Sequence, residues 1–399
     1  MLSNDATPWR LVAMDPPTIE QAAEISHYLQ GQLPGDRLAE RDGMTRWKLC
    51  DNETYPGFVS AMVVGSSDRI VSLCTVTPKR LWRNGIEQPW AEIGDTFTDV
   101  AYLRKGILLP RARSAQHRSP LTDAAYPRKG MFESLVNASR SRAQAAGFRV
   151  IYGLPNDKSL PGYVKKLDFF VKEYLHLVKH VALLSTRSLG ARTGASRVPA
   201  LRGVLCNPFV VESSRRLAKL ALILVSLGHR EILLEKVQAF GPEFDDLWQR
   251  VRARLPNAQV RDARYLAWRY SKNPFPFVVF AARKGGELLG YVATLILRHK
   301  GENGFSHAIL LDWIYDSVPG SSTPRALLFA AIRHAFEQEA DVISAVISRA
   351  SPLPLPFSSA AFIRRTTEMP VIFHGNDEGR EILADPSPWH FTLSDTDSF

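Results

Sequence analysis

The stretch YPRKGMFESLV, Tyr126–Val136, joins a basic turn to the start of a predicted helix. From Phe132 onward, apolar or small residues recur at steps of three and four, which predicts one buried helix face. The first turn of a helix leaves backbone N–H groups unpaired and carries partial positive charge. Gly130 allows a ligand to approach closely, and Arg128 and Lys129 supply countercharge. The stretch therefore predicts an anion-binding turn, with a solvated basic turn as the alternative.

A near copy of this turn, DVAYLRKGIL at residues 99–108, lies twenty-four residues earlier. Pro110 and Pro120 follow that copy, and no helical periodicity comes after it. We interpret residues 103–123 as an insertion that separates a strand from its helix. The anion-binding turn is therefore assigned to the second copy.

Outward from this junction, apolar patterns predict strand, helix, antiparallel strands, helix, strand, helix and strand along the first half. Gly147 is the expected C′ residue of the helix that begins at Met131. In the second half, residues 275–297 predict a hairpin over a Gly-Gly turn, and the order of elements repeats that of the first half.

The chain has 399 residues, which is long for one hydrophobic core, so we expect two domains. The first is predicted over residues 1–186 and the second over residues 237–399. Between them, residues 187–236 are predicted to form a basic linker followed by an apolar helix.

Composition excludes several classes of protein. The chain is 45% hydrophobic and 23% charged, as expected of a globular protein, and its net charge of +10 favours anionic partners. Three scattered cysteines form no CxxC pair, so we expect no metal site and a reducing, cytoplasmic compartment. No Gly-x-Ser-x-Gly elbow, P-loop or dinucleotide fingerprint is found, which argues against a hydrolase, an NTPase or a dehydrogenase. We also expect no nucleic-acid partner.

An apolar run, LALILVSL at residues 220–227, follows Arg215, Arg216 and Lys219. A buried helix is one interpretation of residues 214–228. The other is a helix that lies on an anionic membrane surface.

The chain resembles the GNAT-family N-acetyltransferases, which bind acetyl-coenzyme A (acetyl-CoA). Four segments carry the resemblance in order within roughly residues 8–185: WAEIGDTFT, YPRKGMFESLV, AAGFRVIYGLPN and GYVKKLDFF. The family's loop reads Arg/Gln-x-x-Gly-x-Gly/Ala, and PRKGMF keeps the middle Gly130 but departs at Pro127 and Phe132. The resemblance implies an α+β fold of two GNAT-like domains, each a mixed, mostly antiparallel twisted sheet flanked by helices.

By the same resemblance, Tyr163 corresponds to the tyrosine that protonates the coenzyme A sulfur; a packing role is the alternative. Asn156 corresponds to a residue that hydrogen-bonds the cofactor arm. Backbone N–H groups near Met131 and Phe132 are expected to anchor the pyrophosphate. In this family the strand that carries GDTFT separates from its neighbour, and its N–H groups can then stabilise an oxyanion.

A general base is expected on the strand that leads to the loop, where Glu92 and Asp95 are the candidates. They are an odd number of residues apart, so alternation places them on opposite faces and at most one in the cleft. Asp95 and Asp99 are expected to share a face. Polar residues that merely satisfy a strand edge are the alternative interpretation.

The second half is also similar to a GNAT domain, through RDARYLAWRYSKNP, GELLGYVATLIL and WHFTLSDTDSF. These segments resemble a tandem-GNAT group linked to surface-polysaccharide or cell-envelope gene clusters. The expected loop, DSVPGSSTPRALL, has Arg325 as its basic residue and contains Pro319 and Pro324. We expect this copy to be degenerate for cofactor binding.

These observations predict an N-acyltransferase that moves an acetyl group from acetyl-CoA to a small amine, such as an amino sugar or an envelope or polysaccharide precursor. The first alternative is a non-catalytic tandem-GNAT binding or scaffold protein in such a pathway. The second is an aminoacyl-transferring relative of the peptidoglycan-bridge enzymes.

Overall fold

A computed structural model describes residues 9–32, 43–64, 68–99, 130–187, 203–226, 231–298, 306–316 and 321–397. Arg128, Lys129, the proposed insertion at 103–123 and, within the proposed linker and helix, residues 188–202 and 227–230 lie outside these residues. The structure divides into two compact units. The first comprises Met1–Lys79, Pro89–Val171 and Ile372–Ile382, and the second Arg80–Gln88, Lys172–Val371 and Leu383–Phe399.

The strands are named in chain order. They are β1 (Trp9–Met14), β2 (Phe58–Val64), β3 (Arg69–Arg83), β4 (Ile86–Thr98), β5 (Val150–Gly153), β6 (Phe170–Val171), β7 (Leu177–Leu183), β8 (Leu233–Lys236), β9 (Asn257–Gln259), β10 (Val278–Lys284), β11 (Glu287–Arg298), β12 (Ser306–Tyr315), β13 (Val342–Ser348), β14 (Ile363–Met369), β15 (Ile372–Gly375) and β16 (Trp389–His390).

The helices are named in the same way. They are α1 (Ile19–Gln32), α2 (Met44–Leu49), α3 (Met131–Ala145), α4 (Leu160–Lys166), α5 (Pro208–Ser226), α6 (Pro242–Arg252), α7 (Ala263–Leu266), α8 (Thr323–Glu337) and α9 (Asp377–Ala384).

The sheet of the first unit has the order β1-β2-β3-β4-β5-β15-β6. β4 and β5 are parallel, whereas β15 is antiparallel to both β5 and β6. Side chains of β2 alternate between the two faces of the sheet, and each face has its own hydrophobic core. Val59, Ala61 and Val63 pack with α1 and α2, and Met62 packs with α3 and α4.

Helix α3 begins and ends where its sequence pattern predicts. Leu135, Val136 and Ala143 are fully buried against the sheet. Burial of a leucine or valine side chain stabilises the fold by roughly 1.5–3 kcal/mol. Gly147 has a φ of 91°, the left-handed conformation of a C′ residue, and thereby ends the helix.

The sheet of the second unit has the order β8-β10-β11-β12-β13-β7-β14. Here β12 and β13 form the parallel pair, and β7 is antiparallel to its two neighbours. The predicted hairpin is present as β10 and β11, and Gly285 and Gly286 both have positive φ in its turn. Mixed sheets flanked by helices confirm the predicted fold class.

The two sheets share one strand order, and each is completed by a strand from the other half of the sequence. β15, from the C-terminal half, lies between β5 and β6. β7, from the N-terminal half, lies between β13 and β14. Each unit is therefore built from separate segments of the chain, whereas the domains predicted from the sequence, residues 1–186 and 237–399, are each one continuous segment.

Candidate functional site

Strands β4 and β5 separate near the middle of the first sheet. Their parallel pairing covers Trp90, Ala91 and Glu92, and among the described residues it ends there, although β4 continues to Thr98. Gly153 ends β5 at the point of separation. A Cβ atom on Gly153 would lie 2.8 Å from the carbonyl oxygen of Ile93, so only glycine lets the strands approach this closely.

Asp95 lies on the separated part of β4 and has a φ of 43°, in the left-handed region. An aspartate can adopt this conformation, but it interrupts the regular alternation of a strand. Ala91 and Ile93 pack on the α3 side, and Thr96 also points there, since it contacts Tyr163.

The carboxylates of Glu92 and Asp95 lie on the same face, contrary to the prediction from their spacing. Glu92 pairs with Lys79 at 3.2 Å, and the Asp95 Oδ2 accepts a hydrogen bond from Thr75 at 2.9 Å. Lys79 and Thr75 are four residues apart on β3 and so share a face. The left-handed residue shifts the alternation by one position, which explains the difference.

The two carboxylates differ in exposure. Both Glu92 and Lys79 have side chains only 3% exposed, so this ion pair is buried. Asp95 is 30% exposed and is held by Lys48 of α2, whose Nζ lies 2.7 Å from Oδ2. Of the two, Asp95 is the one that solvent or a ligand can reach.

Tyr163 of α4 lies on the other side of β4. It is 4% exposed, and its hydroxyl shares a hydrogen bond of 2.7 Å with Thr96 Oγ1. Burial raises the pKa of Tyr163 above its ordinary value, with a further contribution from nearby Cys74, so the phenol is protonated before any reaction begins. Burial likewise raises the pKa of the Cys74 thiol to about 11.

Phe132, at the N-terminus of α3, packs against α4. The Phe132 ring meets the Tyr163 ring edge to face, with centroids 5.1 Å apart. A Cβ atom on Gly162 would lie 2.9 Å from the Phe132 ring, so this glycine makes room for the phenylalanine. The departure from the GNAT loop at Phe132 is thus accommodated by packing on α4.

Gly130 precedes this helix with a φ of 94°, and Met131 is buried directly after it. Glu133 in the first turn pairs with Lys166 of α4 at 2.5 Å. A left-handed glycine before a helix N-terminus is compatible with an anion site. The basic side chains predicted to assist it, Arg128 and Lys129, lie outside the described residues.

Asn156 has a local structural role. Its Oδ1 accepts hydrogen bonds from the backbone N–H groups of Lys158 and Ser159, each at 3.0 Å. This turn leads into α4 and so helps to position Tyr163.

Several residues of the site had not been predicted. Thr96 lies within the quoted GDTFT segment, where its position on the strand was the available signal. Lys48, Thr75 and Cys74 come from α2 and β3, and no local pattern connects them with Asp95 or Tyr163. Within the described residues, no group of His, Cys, Asp and Glu side chains could hold a metal ion.

A cavity of about 320 Å³ lies between α1 and α2 in the first unit. Apolar side chains on α1 and polar ones such as His27 and Arg46 line it. Helix α2 therefore contributes to this cavity and, through Lys48, also contacts Asp95.

The second unit has the corresponding strand separation. Pairing of β12 with β13 ends at Leu310 and Ala345, and the register of β12 with β11 shifts just after Leu310. Here the C-terminal segment, residues 389–397, enters the opening. Thr392 forms a bridge with Ile347 of β13 and donates through its hydroxyl to Asp312 of β12 at 3.0 Å.

Buried charges hold this segment in place. Arg261 donates to Asp312 at 3.0 Å and to Asp395 at 2.8 Å, and all three side chains are almost fully buried. The Nε2 atom of His390 forms a hydrogen bond of 2.8 Å with the carbonyl oxygen of Trp313. Protein thus fills the opening of the second unit, whereas the described residues show no such bridge at the end of β5.

No protein-family model matches the chain, and no curated protein matches it either. Solved structures do resemble it. Yeast (Saccharomyces cerevisiae) N-myristoyltransferase with bound myristoyl-CoA is 11% identical with a TM-score of 0.57, covering 92% of this chain and 83% of that one. A GCN5-related N-acetyltransferase from Anabaena variabilis is 12% identical with a TM-score of 0.54, covering 91% and 72%.

A protein of unknown function from Enterococcus faecalis, described as a probable N-acyltransferase, is also similar. It is 12% identical with a TM-score of 0.51, covering 92% of this chain and 72% of that one. At these identities the comparisons establish the fold, which is GNAT-like over almost the whole chain.

Proposed function

We propose that the chain is an N-acyltransferase that moves an acetyl group from acetyl-CoA to a small amine, and that the reaction takes place in the first unit. The observation that carries this proposal is the separation of β4 from β5, with the Tyr163 hydroxyl bonded to Thr96 on the separated strand. The GNAT-like neighbours, one of which holds an acyl-CoA, support it.

The first unit fits an acyl-CoA. Among the described residues, β4 beyond Glu92 has no pairing on the side of β5, so backbone N–H groups on that edge can be offered to a developing oxyanion. The N-terminus of α3, preceded by left-handed Gly130, suits a pyrophosphate, with Arg128 and Lys129 as countercharges and Met131 and Phe132 as N–H donors. We assign this binding to the first unit because residues 389–397 fill the corresponding opening of the second.

The two faces of β4 separate the two proton transfers. The amine nitrogen attacks the thioester carbonyl, the carbon–sulfur bond breaks, and an amide forms. Asp95 on one face takes the proton of the amine, directly or through water. Tyr163 on the other face gives its phenolic proton to the leaving sulfur. Glu92 is a poorer candidate for the base, because it is buried against Lys79.

The acceptor we propose is an amino sugar or another amine-bearing precursor of envelope polysaccharide, on the resemblance to the tandem-GNAT group. The cavity between α1 and α2 is a suitable place for it, since it offers both apolar and polar lining. Asn156 positions α4 and is a candidate contact of the cofactor arm.

Calorimetry with acetyl-CoA and with coenzyme A tests the proposal. We expect both to bind with micromolar affinity, and a panel of amines to identify an acceptor by release of free thiol. Asp95→Asn should bind acetyl-CoA as the wild type does but turn over roughly 100-fold more slowly, as general-base loss typically costs.

If calorimetry detects no binding of acetyl-CoA or of coenzyme A, the enzymatic proposal is overturned and a binding or scaffold protein is favoured. Wild-type turnover by Asp95→Asn would instead remove only the assignment of the base. Transfer from aminoacyl-tRNA, but not from acetyl-CoA, would favour the aminoacyl-transferring alternative.

A further inference from the structure

Helix α5 exposes a strip of large apolar side chains. Phe209 is 80% exposed, Leu217 70% and Leu220 60%. With 3.6 residues per turn, positions 209, 217 and 220 fall within about 80° of one another around the helix axis. We call these three residues the apolar strip.

The opposite side of α5 anchors the helix within the second unit. Val211 is buried, and Arg215 donates to the backbone carbonyl of Glu339 at 2.7 Å and to Asp341 at 3.0 Å. Helix α5 packs on α8 through this side. The apolar strip is therefore held outward by a fixed helix.

The sequence that leads into and through α5 is strongly basic. In the sequence, residues 187–219 contain one acidic residue, Glu212, and seven basic ones, so this segment carries six of the ten net positive charges of the chain. The basic residues are Arg187, Arg192, Arg197, Arg202, Arg215, Arg216 and Lys219. Arg216 and Lys219 are exposed on α5 itself, and Arg216 pairs with Glu212 at 2.9 Å.

We propose that α5 docks on the surface of an anionic lipid bilayer. The apolar strip enters the boundary between headgroups and acyl chains, and the neighbouring cations contact lipid phosphates. None of the described helices is long and apolar enough to cross a membrane. This inference goes beyond acyl transfer and does not depend on it.

Charge favours a lipid surface over a second copy of the chain as the occupant. A symmetric dimer through the strip would bring together two chains of net charge +10, each with Arg216 and Lys219 exposed on α5, and their repulsion opposes association. An anionic bilayer instead attracts the net positive chain and the exposed Lys219, and it accepts the exposed phenylalanine and leucines.

Co-sedimentation with vesicles tests the proposal on the full chain. We expect binding to vesicles of phosphatidylcholine with 30% phosphatidylglycerol, and at least tenfold weaker binding to phosphatidylcholine alone. The double variant Leu217→Glu/Leu220→Glu should lose at least tenfold in partitioning. Arg216→Gln/Lys219→Gln should bind more weakly and show a smaller dependence on salt.

Leu233→Glu is the matched control, because Leu233 is also a leucine that is 61% exposed but belongs to strand β8 rather than to α5. It should bind as the wild type does. Equal binding to both vesicle types, no binding to either, or no effect of Leu217→Glu/Leu220→Glu would overturn the proposal. A dimer in solution that this double variant abolishes would assign the strip to a second copy and overturn it as well.

Discussion

Asp95 determines how the candidate site is arranged at the scale of single residues. Its left-handed backbone shifts the alternation of β4, so that Asp95 contacts Thr75 and Lys48 on one face while Thr96 contacts Tyr163 on the other. A carboxylate and a phenol are thereby brought to opposite faces of one strand. In the proposed function, Asp95 would act as the base and Tyr163 as the acid without being in contact.

The proposed role of the Tyr163 hydroxyl gives a prediction at this scale. Tyr163→Phe keeps the ring that packs against Phe132 and Phe169, but removes the proton donor. We expect turnover of acetyl-CoA to fall roughly 100-fold or more, as loss of a general acid does, with little change in acetyl-CoA affinity. Steady-state kinetics and calorimetry on the same protein measure both quantities.

Tyr28→Phe is the control, because the Tyr28 hydroxyl also donates a hydrogen bond in the first unit, to the carbonyl oxygen of Val71 at 3.0 Å. Its turnover should match that of the wild type. Undiminished turnover of Tyr163→Phe would show that Tyr163 has a packing role and that another group protonates the sulfur.

At the scale of elements, the two parallel strand pairs end in different ways. β4 and β5 separate after Glu92, whereas the equivalent opening after Leu310 of β12 receives the C-terminal segment. The same strand order therefore leaves an opening without such a bridge among the described residues of the first unit, and a filled one in the second. The difference is made by Arg261, whose buried ion pairs with Asp312 and Asp395 hold that segment.

Gly153 sets the approach of β4 and β5. In Gly153→Ala the new methyl group would lie 2.8 Å from the Ile93 carbonyl oxygen, and the backbone would have to move. We expect the free energy of unfolding to fall by about 1–3 kcal/mol, the usual cost of overpacking. Urea unfolding followed by circular dichroism measures it.

Gly31→Ala serves as the control, since no atom lies within 4 Å of a Cβ at this position of α1. It should leave stability unchanged or raise it by up to about 1 kcal/mol. If Gly153→Ala behaves in the same way, the close approach at Ile93 is not a constraint on the strands.

At the scale of the whole molecule, the exchange of β7 and β15 makes each sheet depend on both halves of the sequence. β7 pairs with β13 over seven residues, and β15 pairs with β5 over four. Each half supplies six strands of this order, and the seventh comes from the other half of the sequence. Because the exchanged strands are internal, the halves are expected to fold as one cooperative chain.

Two buried histidines, one in each unit, give a pH dependence of stability. Burial lowers the pKa of His374 to about 4 and that of His390 to about 3, with Arg140 and Arg261 as the next causes. Both folded pKa values lie below the ordinary 6.5, so the folded state favours the neutral rings. Their contribution to stability is complete above about pH 6.5 and is lost as the pH falls toward 4 and 3.

Urea unfolding at pH 7.5, 6 and 5 measures this dependence. Each histidine should lower the free energy of unfolding by up to about 1.4 kcal/mol per pH unit below 6.5. His390→Gln should reduce that slope while lowering stability at pH 7.5. A free energy of unfolding that is flat from pH 7.5 to 5 would contradict the assignment.

Local signals in the sequence were sufficient for several elements and for the fold class. Apolar steps of three and four placed α3, Gly147 marked its end, and the Gly-Gly turn placed the hairpin of β10 and β11. These features depend on residues within a few positions of one another, so their physical cause is contained in short segments. The GNAT-like order of elements follows from the same patterns.

Tertiary structure alone decided the pairing of Lys48 with Asp95, the bond between Thr96 and Tyr163, and the exchange of β7 and β15. Each joins residues that are far apart in sequence, and no local periodicity encodes such a contact. The left-handed turn at Asp95 could not be foreseen either, because strand alternation assumes a regular backbone. The strain energy of the left-handed backbone at Asp95 is offset by contacts that form only when α2, β3 and α4 pack around β4.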